Sequence, residues 1–234
     1  MFELKKIEAE WKARMHKALY FDGVDDYVEV PDSASLNITD EITIEAWIKP
    51  SDDSENTIVG KRDAYIFAYS PSWNRRKLYF NYYNGSEWVG GTYSNTKIED
   101  FTKFYHVAAT YSRYKGIVRI FINGKLDVEN TVTADKIAVN ANPVEVGYVW
   151  NVWFFNGIIA HVSIYNRALS PSEIKYLYHN PFDLIDPEHL VLWLNPAGID
   201  VANGKWWDLS GKGNHGDIVG ATEVKLVEDE VIVK

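Results

Sequence analysis

The chain has 234 residues, 46% hydrophobic and 15% aromatic, with a formal net charge of −9 and no cysteine. This composition supplies a packed core and excludes a disordered chain. The acidic balance, with basic residues only in short groups such as Arg75-Arg76-Lys77, excludes a phosphate-backbone partner. Disulfides are excluded as the stabiliser, and no apolar run reaches the length of a membrane-spanning helix.

In chain order, Phe2, Ile7, Trp11 and Met15 recur at spacings near four and predict an amphipathic helix over residues 2–16, which lacks the apolar core of a signal peptide. Ala18 to Pro31 then alternates with period two on either side of Gly23-Val24-Asp25-Asp26, the pattern of two antiparallel strands in a tight acidic hairpin. Ile42–Ile48 is an alternating strand with Trp47 in the core, closed by Pro50. Short strands follow over residues 57–61, 65–69, 77–83 and 87–93, the last two joined at Asn84-Gly85. Strands over 104–112 and 116–122 lead to a second hairpin turn, Asn123-Gly124, and a strand over 125–132. Strands over 143–149 and 157–165 complete the series. Ser170-Pro171-Ser172-Glu173 is a capping-box start for a helix over Glu173–His179, ended by Pro181. Many short strands at near-regular spacing predict a sandwich or barrel.

Four stretches, ALYFDGVDDYVEVP, ITIEAWIKP, FYHVAATYS and NGIIAHVSIYNRALSPSEI, stand in the order of the laminin-G-like, concanavalin-A-like jelly-roll family, which the chain resembles from about Ala18 to Asn180. The resemblance implies an all-β fold, a two-sheet antiparallel jelly-roll β-sandwich, with a short internal helix after Tyr165–Ser170; the N-terminal helix adds to it. The expected organisation is a helix over residues 1–17, the sandwich over 18–180, and C-terminal strands over 181–234. In that last part, His189–Leu194 and Trp207–Gly216 look like the opening of such a domain. They either begin a next repeat or fold back to complete the sandwich as a circular permutation. The apolar Leu190–Leu194 and Val231–Val233 favour fold-back. Pairing of the same strands with a neighbour would give self-association.

Three kinds of site are weighed. Asp22, Gly23, Asp25 and Asp26 offer the hard oxygens that calcium takes, and the family resemblance implies a calcium near this turn. The acidic ligand that relatives carry before the YNRALS motif is Ala160 here, so no cofactor is fixed; the plainer reading of the acids is a solvated turn. A glycosidase needs two carboxylates roughly 5 to 10 Å apart across a cleft. Glu45 and Glu29 stand alone on their strands, cysteine is absent, and the six histidines are scattered, so the chain reads as no enzyme and His106 as a packed structural residue. The third set is Trp73, Trp88, Tyr93, Trp150, Trp153 and Phe154, aromatic side chains in loops suited to stack on sugar rings or on a protein surface, or else to pack beneath the terminal segments. Trp47, Trp193, Trp206 and Trp207 read as core or inter-strand packing. The leading expectation is a non-catalytic module recognising carbohydrate; the alternative is a structural or adhesive module of a virion or cell-surface protein, and either role is extracellular or at a surface.

Overall fold

Alternating apolar residues set out the strands in chain order: β1 (Lys17–Asp22), β2 (Tyr27–Val30), β3 (Glu41–Pro50), β4 (Asn56–Lys61), β5 (Tyr65–Tyr69), β6 (Leu78–Tyr83), β7 (Trp88–Tyr93) and β8 (Tyr105–Ser112). They continue as β9 (Ile117–Ile122), β10 (Lys125–Thr131), β11 (Val144–Val146) and β12 (Asn156–Tyr165), then helix α1 (Pro171–His179), β13 (Leu190–Asp200), β14 (Lys205–Asp208), β15 (Gly216–Val219) and β16 (Thr222–Lys225). The computed structural model describes residues 16–69, 74–150, 152–181 and 183–226. The helix expected over residues 2–16 lies, but for His16, outside the described residues, as does Val231–Val233.

Every strand pair is antiparallel, along the path β10-β9-β8-β3-β12-β13-β14-β15-β2-β11-β4-β5-β6-β7. The path folds back on itself. Tyr82 of β6 and Tyr111 of β8, far apart along it, stack with ring centres 4.2 Å apart. One continuous core joins Ile44, Ile48 and Ile120 of one layer to Val28, Phe67 and Phe80 of the other. β13 carries the path between layers: Leu190–Leu194 pair with β12, and Leu194–Asp200 with β14. The C-terminal strands among the described residues pair within this chain: β13 with β12, β15 with β2 and β16 with β1.

β1 and β2 do not form the expected hairpin. β1 pairs with β12 and β16, whereas β2 pairs with β11 and β15. The acidic turn is an arch that takes the chain from one layer to the other. Alternation reports that a segment is a strand, not which strand it meets. The Asn-Gly turns do hold: Asn123 and Gly124 have φ of 50° and 70°, both left-handed as a two-residue hairpin loop requires. A side chain on Gly124 would also meet Tyr178 Cβ at 2.7 Å, so the turn sits tight under the helix.

α1 covers the outer face of β3, β8 and β12. Its start is the expected capping box: Ser170 N donates to Glu173 Oε2 (2.7 Å) and Glu173 N to Ser170 Oγ (3.3 Å), with Pro171 in the first turn. Tyr178 stacks on Trp47, ring centres 5.7 Å apart. Beneath the helix lies a polar group the strand pattern does not announce. Glu45 is buried, with His106 Nε2 2.9 Å from Oε1, Ser163 Oγ donating to Oε2 (2.6 Å), and His161 Nε2 3.8 Å away. Burial pushes the Glu45 carboxyl up, but the bonds to His106 and His161 outweigh it and hold the group below the usual carboxylate range.

A hydrogen bond to a buried charged group is worth about 1.5–3 kcal/mol, and Glu45→Gln neutralises the acceptor of those from His106 and Ser163, so it lowers the midpoint of thermal unfolding by more than about 3 °C. Because the folded carboxyl titrates below its ordinary value of 4.5, this stabilisation is present above that pH and is lost as pH falls beneath it. Melting curves from neutral to acid pH therefore show a steeper acid loss for wild type than for E45Q; parallel curves would contradict the assignment. Deleting residues 183–234 strips β12 of a neighbour, β2 of β15 and the core of the fully buried Trp206. The remainder is expected to aggregate or to lose cooperative unfolding, and a soluble remainder of equal stability would refute the pairing.

Candidate functional site

The acidic arch brings its carboxylates together: ligand atoms of Asp22, Asp25 and Asp26 lie within 4.8 Å of one another. Much of that geometry serves the backbone. Asp22 Oδ1 accepts from Val24 N (2.8 Å), Asp26 Oδ2 accepts from Asp22 N (2.9 Å), and Gly23 supplies a φ of 80°. Asp22 and Asp25 are exposed but Asp26 is buried, so it is not the solvated turn residue expected. Burial pushes the Asp26 carboxyl up, and the charges of Asp22 and Asp25 add to that, against the bond from the Asp22 amide. Three hard-oxygen groups fit the chemistry of calcium. Ala160 lies instead in an apolar cluster with Ala18, Trp47, Phe104 and Leu226.

The aromatic candidates divide. Register places Ala68 of β5 beside Tyr79 of β6, Tyr79 beside Tyr93 of β7, and Tyr83 beside Trp88. Tyr79 and Tyr93 stack at 4.7 Å. Onto this face folds the loop between β11 and β12. Trp150 meets Trp88 edge-on at 5.3 Å and Trp153 at 5.8 Å. Trp88, Trp150, Trp153 and Tyr79 pack over buried Ile66, Ala68 and Val149, yet each keeps part of its surface in solvent. Phe154 belongs to a second stack, on Tyr148 (5.4 Å), which in turn meets Tyr27 at 4.3 Å. Trp73 lies outside the described residues.

The tryptophan loop is held against its own backbone preference. Trp150 and Trp153 both have φ of 56°, a left-handed conformation that bulky L-residues rarely adopt and that costs about 1–2 kcal/mol each. The loop is pinned where it bends: Val149 and Val152 form an isolated bridge, Thr57 N donates to Trp153 O (2.8 Å), and Phe155 N to Gly147 O (2.7 Å). Beside Trp153 is a small recess lined by Glu55, Asn56, Ile66, Ala68, Tyr69 and Tyr79. Asn81 Nδ2 donates to Tyr79 Oη (2.7 Å), and burial pushes the Tyr79 phenol up to about 12, so it stays neutral. The face therefore offers flat rings next to the Glu55 carboxylate and the Tyr79 phenol, whereas the Asn56 amide is buried and bonded to Ser54 and to Asn156 N.

Sequence reasoning missed Tyr79, Glu55 and Asn56. Parity along β5 and β6 was the available signal, since Ile66, Ala68, Tyr79 and Asn81 share the outward face once Phe67 and Phe80 are placed in the core. The tryptophans expected in the core or in inter-strand packing divide. Trp206 is buried, but Trp207 is 38% exposed, donating Nε1 to Asp200 Oδ2 (3.2 Å), and Trp193 is half-buried.

Asp26 is the acid whose ionised form the fold penalises. A raised carboxyl adds stability at low pH that is lost as pH rises through its folded value. Asp26→Asn keeps a carbonyl oxygen for the Asp22 amide and removes the charge. In cation-free buffer it is expected to melt above wild type at neutral pH, the gap closing on acidification; a variant less stable at every pH would contradict this.

Among solved structures, a protein of Bacteroides ovatus ATCC 8483, named as a candidate carbohydrate binding protein, superimposes with a TM-score of 0.74 at 21% identity, over 91% of this chain and 60% of that one. The present chain thus spans well under two thirds of that protein's length. Domain 4 of an extracellular arabinanase from Geobacillus stearothermophilus, in complex with arabinotriose, superimposes with a TM-score of 0.54 at 23% identity, over 68% of this chain and 75% of that one. The CBM40 domain of a Ruminococcus gnavus sialidase, bound to α2,3-sialyllactose, gives 0.55 at 14% identity, over 70% of this chain and 99% of that one. Curated protein sequences give no match. The family model for laminin-G-type domains of the concanavalin A-like lectin/glucanases superfamily matches residues 22–175, from the acidic arch into α1. The chain belongs to that superfamily.

Proposed function

We propose that the protein is a non-catalytic carbohydrate-binding module whose contact surface is the face of Trp88, Trp150, Trp153, Tyr79 and Tyr93. The observation that carries the reading is the tryptophan loop: two bulky residues held at left-handed φ present part-exposed rings beside Glu55 and Tyr79. Strain of this kind persists only where the surroundings over-determine it, and it gathers at ligand clamps. Flat rings accept the apolar C–H face of a sugar while neighbouring polar groups bond its hydroxyls. The saccharides that B. ovatus, G. stearothermophilus and R. gnavus structures are named for make the same ligand class reasonable here.

A hydrolytic role has less support. Glu45, His106, His161 and Ser163 do meet, but under α1 and away from solvent. Ser163 Oγ donates to Glu45 rather than to an imidazole, so no nucleophile–base pair forms. The proposal places the module outside the cell or at its surface, where polysaccharide is met; no helix among the described residues is long and apolar enough to cross a membrane.

A glycan-array screen of the whole chain, with calcium and with chelator, tests the reading. Saturable binding that weakens about tenfold or more in Trp153→Ala is expected, the loss of one aromatic contact plus the order it imposes on the loop. Silence across the array, or a hit indifferent to W153A, would overturn the site and favour a protein-contact role, to be sought next as self-association. Calcium is a second reading, favoured by the clustered carboxylates of the arch. Under it, added calcium raises the unfolding midpoint of wild type and leaves D26N unmoved.

A further inference from the structure

β12 runs the length of the sandwich, and the tryptophan loop and acidic arch both lie at its start, where Asn156 pairs with Asp22 and Gly157 with Pro50. At its other end, about 30 Å away for a ten-residue strand, a groove of about 320 Å³ opens between the segment entering β3, the β8–β9 turn and the segments flanking β12 and β13. Thr39, Asp40, Tyr114, Asn166, Arg167 and His189 line it. This size falls in the range of small-ligand sites.

The groove is built before any ligand arrives. Ile137 N donates to Thr39 O and Arg113 N to Asp40 O (2.8 Å each), and Asn166 N donates to His189 O (2.9 Å), so three walls are tied by backbone. Its charged groups are already partnered: Glu41, also in the lining, accepts from Ser112 Oγ and from Ala168 N. Arg113 Nη1 donates to Asp40 Oδ1 (3.0 Å), Arg167 Nη2 to Glu173 Oε1 (2.6 Å), Arg167 also bonds Asp186, and His189 Nδ1 lies 3.0 Å from Asp186. An ionic ligand would have to break these pairs. What remains unpartnered among the described residues of its lining is neutral and open to solvent: the side chains of Tyr114 and Asn166. Tyr114 is 75% exposed, a flat ring at the mouth that nothing in the fold requires to be aromatic.

We infer that this groove is a second binding site, separate from the tryptophan face, for a neutral hydroxyl-rich ring of the pyranose class, stacked on Tyr114 and bonded by Asn166. The inference does not depend on the tryptophan face binding anything.

Amide and side-chain NMR of the whole protein is titrated with the methyl glycosides of glucose, galactose, mannose and xylose, on wild type and on Tyr114→Ala, Asn166→Ala and Trp153→Ala. The expected result is saturable shifts at residues 37–41, Tyr114 and Asn166 with at least one glycoside, weakened about tenfold by Y114A and unchanged by W153A. Tyr114 and Asn166 are exposed, so both variants fold, and retained wild-type shifts elsewhere verify it. No shift at these residues with any of the four glycosides, shifts that W153A abolishes, or competition by inorganic sulfate would each overturn the inference. Loss of glycan-array binding in W153A with a silent groove leaves the proposed function standing alone; groove binding with W153A indifferent in both assays leaves the groove alone.

Discussion

The structure depends on the pairing of β12. One edge meets β3 along its whole length, Gly157 with Pro50 to Tyr165 with Thr43. The other edge is shared end to end, by β1 over residues 156–159 and by β13 over residues 162–165. This division lets the C-terminal strands enter the sandwich at all, since β13 occupies the half of the edge that β1 leaves. Gly157 sits at the point of closest approach: a side chain there would meet Lys49 O at 2.3 Å, and its φ of 141° favours glycine. β1 then delivers the acidic arch to one end of the molecule, and β13, with β3, frames the polar groove at the other.

Because β12 and β3 are central and carry α1 on their outer face, they are buried on both sides, and that has an electrostatic consequence. An acid on such a strand has no route to water. Glu45 is tolerable only because β8 brings His106 and β12 brings His161 and Ser163 to it. The arrangement stabilises one register of three strands, because a slip by one residue would move Glu45 into the apolar core and its partners elsewhere. A polar cluster with this much structural work and no opening to solvent is better read as a register lock than as a reaction centre.

Strand positions were largely legible because turn chemistry and alternation are local. Asn84-Gly85, Asn123-Gly124 and the capping box at Ser170 each specify their geometry within four residues. What failed was everything that depends on partners. The arch at Asp22–Asp26 read as a hairpin because nothing within it says that β1 and β2 belong to different layers. Glu45 looked isolated because its partners lie 61 and 118 residues away. Trp206 and Trp207 were read alike, as core or inter-strand packing, although adjacent strand residues face opposite ways, so only one of them lies in the core. The candidate aromatic face was legible in kind but not in membership: Trp88, Trp150 and Trp153 converge and Phe154 does not, and Tyr79 entered through cross-strand register that the sequence alone leaves open.

The two ends of the sandwich differ in how they are pre-organised, and the difference follows from their backbones. At the tryptophan end a long loop must cross between β11 and β12, and its order comes from ring-on-ring packing strong enough to hold two residues at left-handed φ. Ordering before binding removes a cost that a mobile loop would meet on association. At the other end the segments are short and tied by backbone bonds, and order comes from paired charges. The first end is thus fixed by apolar packing and the second by charge pairs and backbone bonds, so order at the two ends of one sandwich has different physical sources.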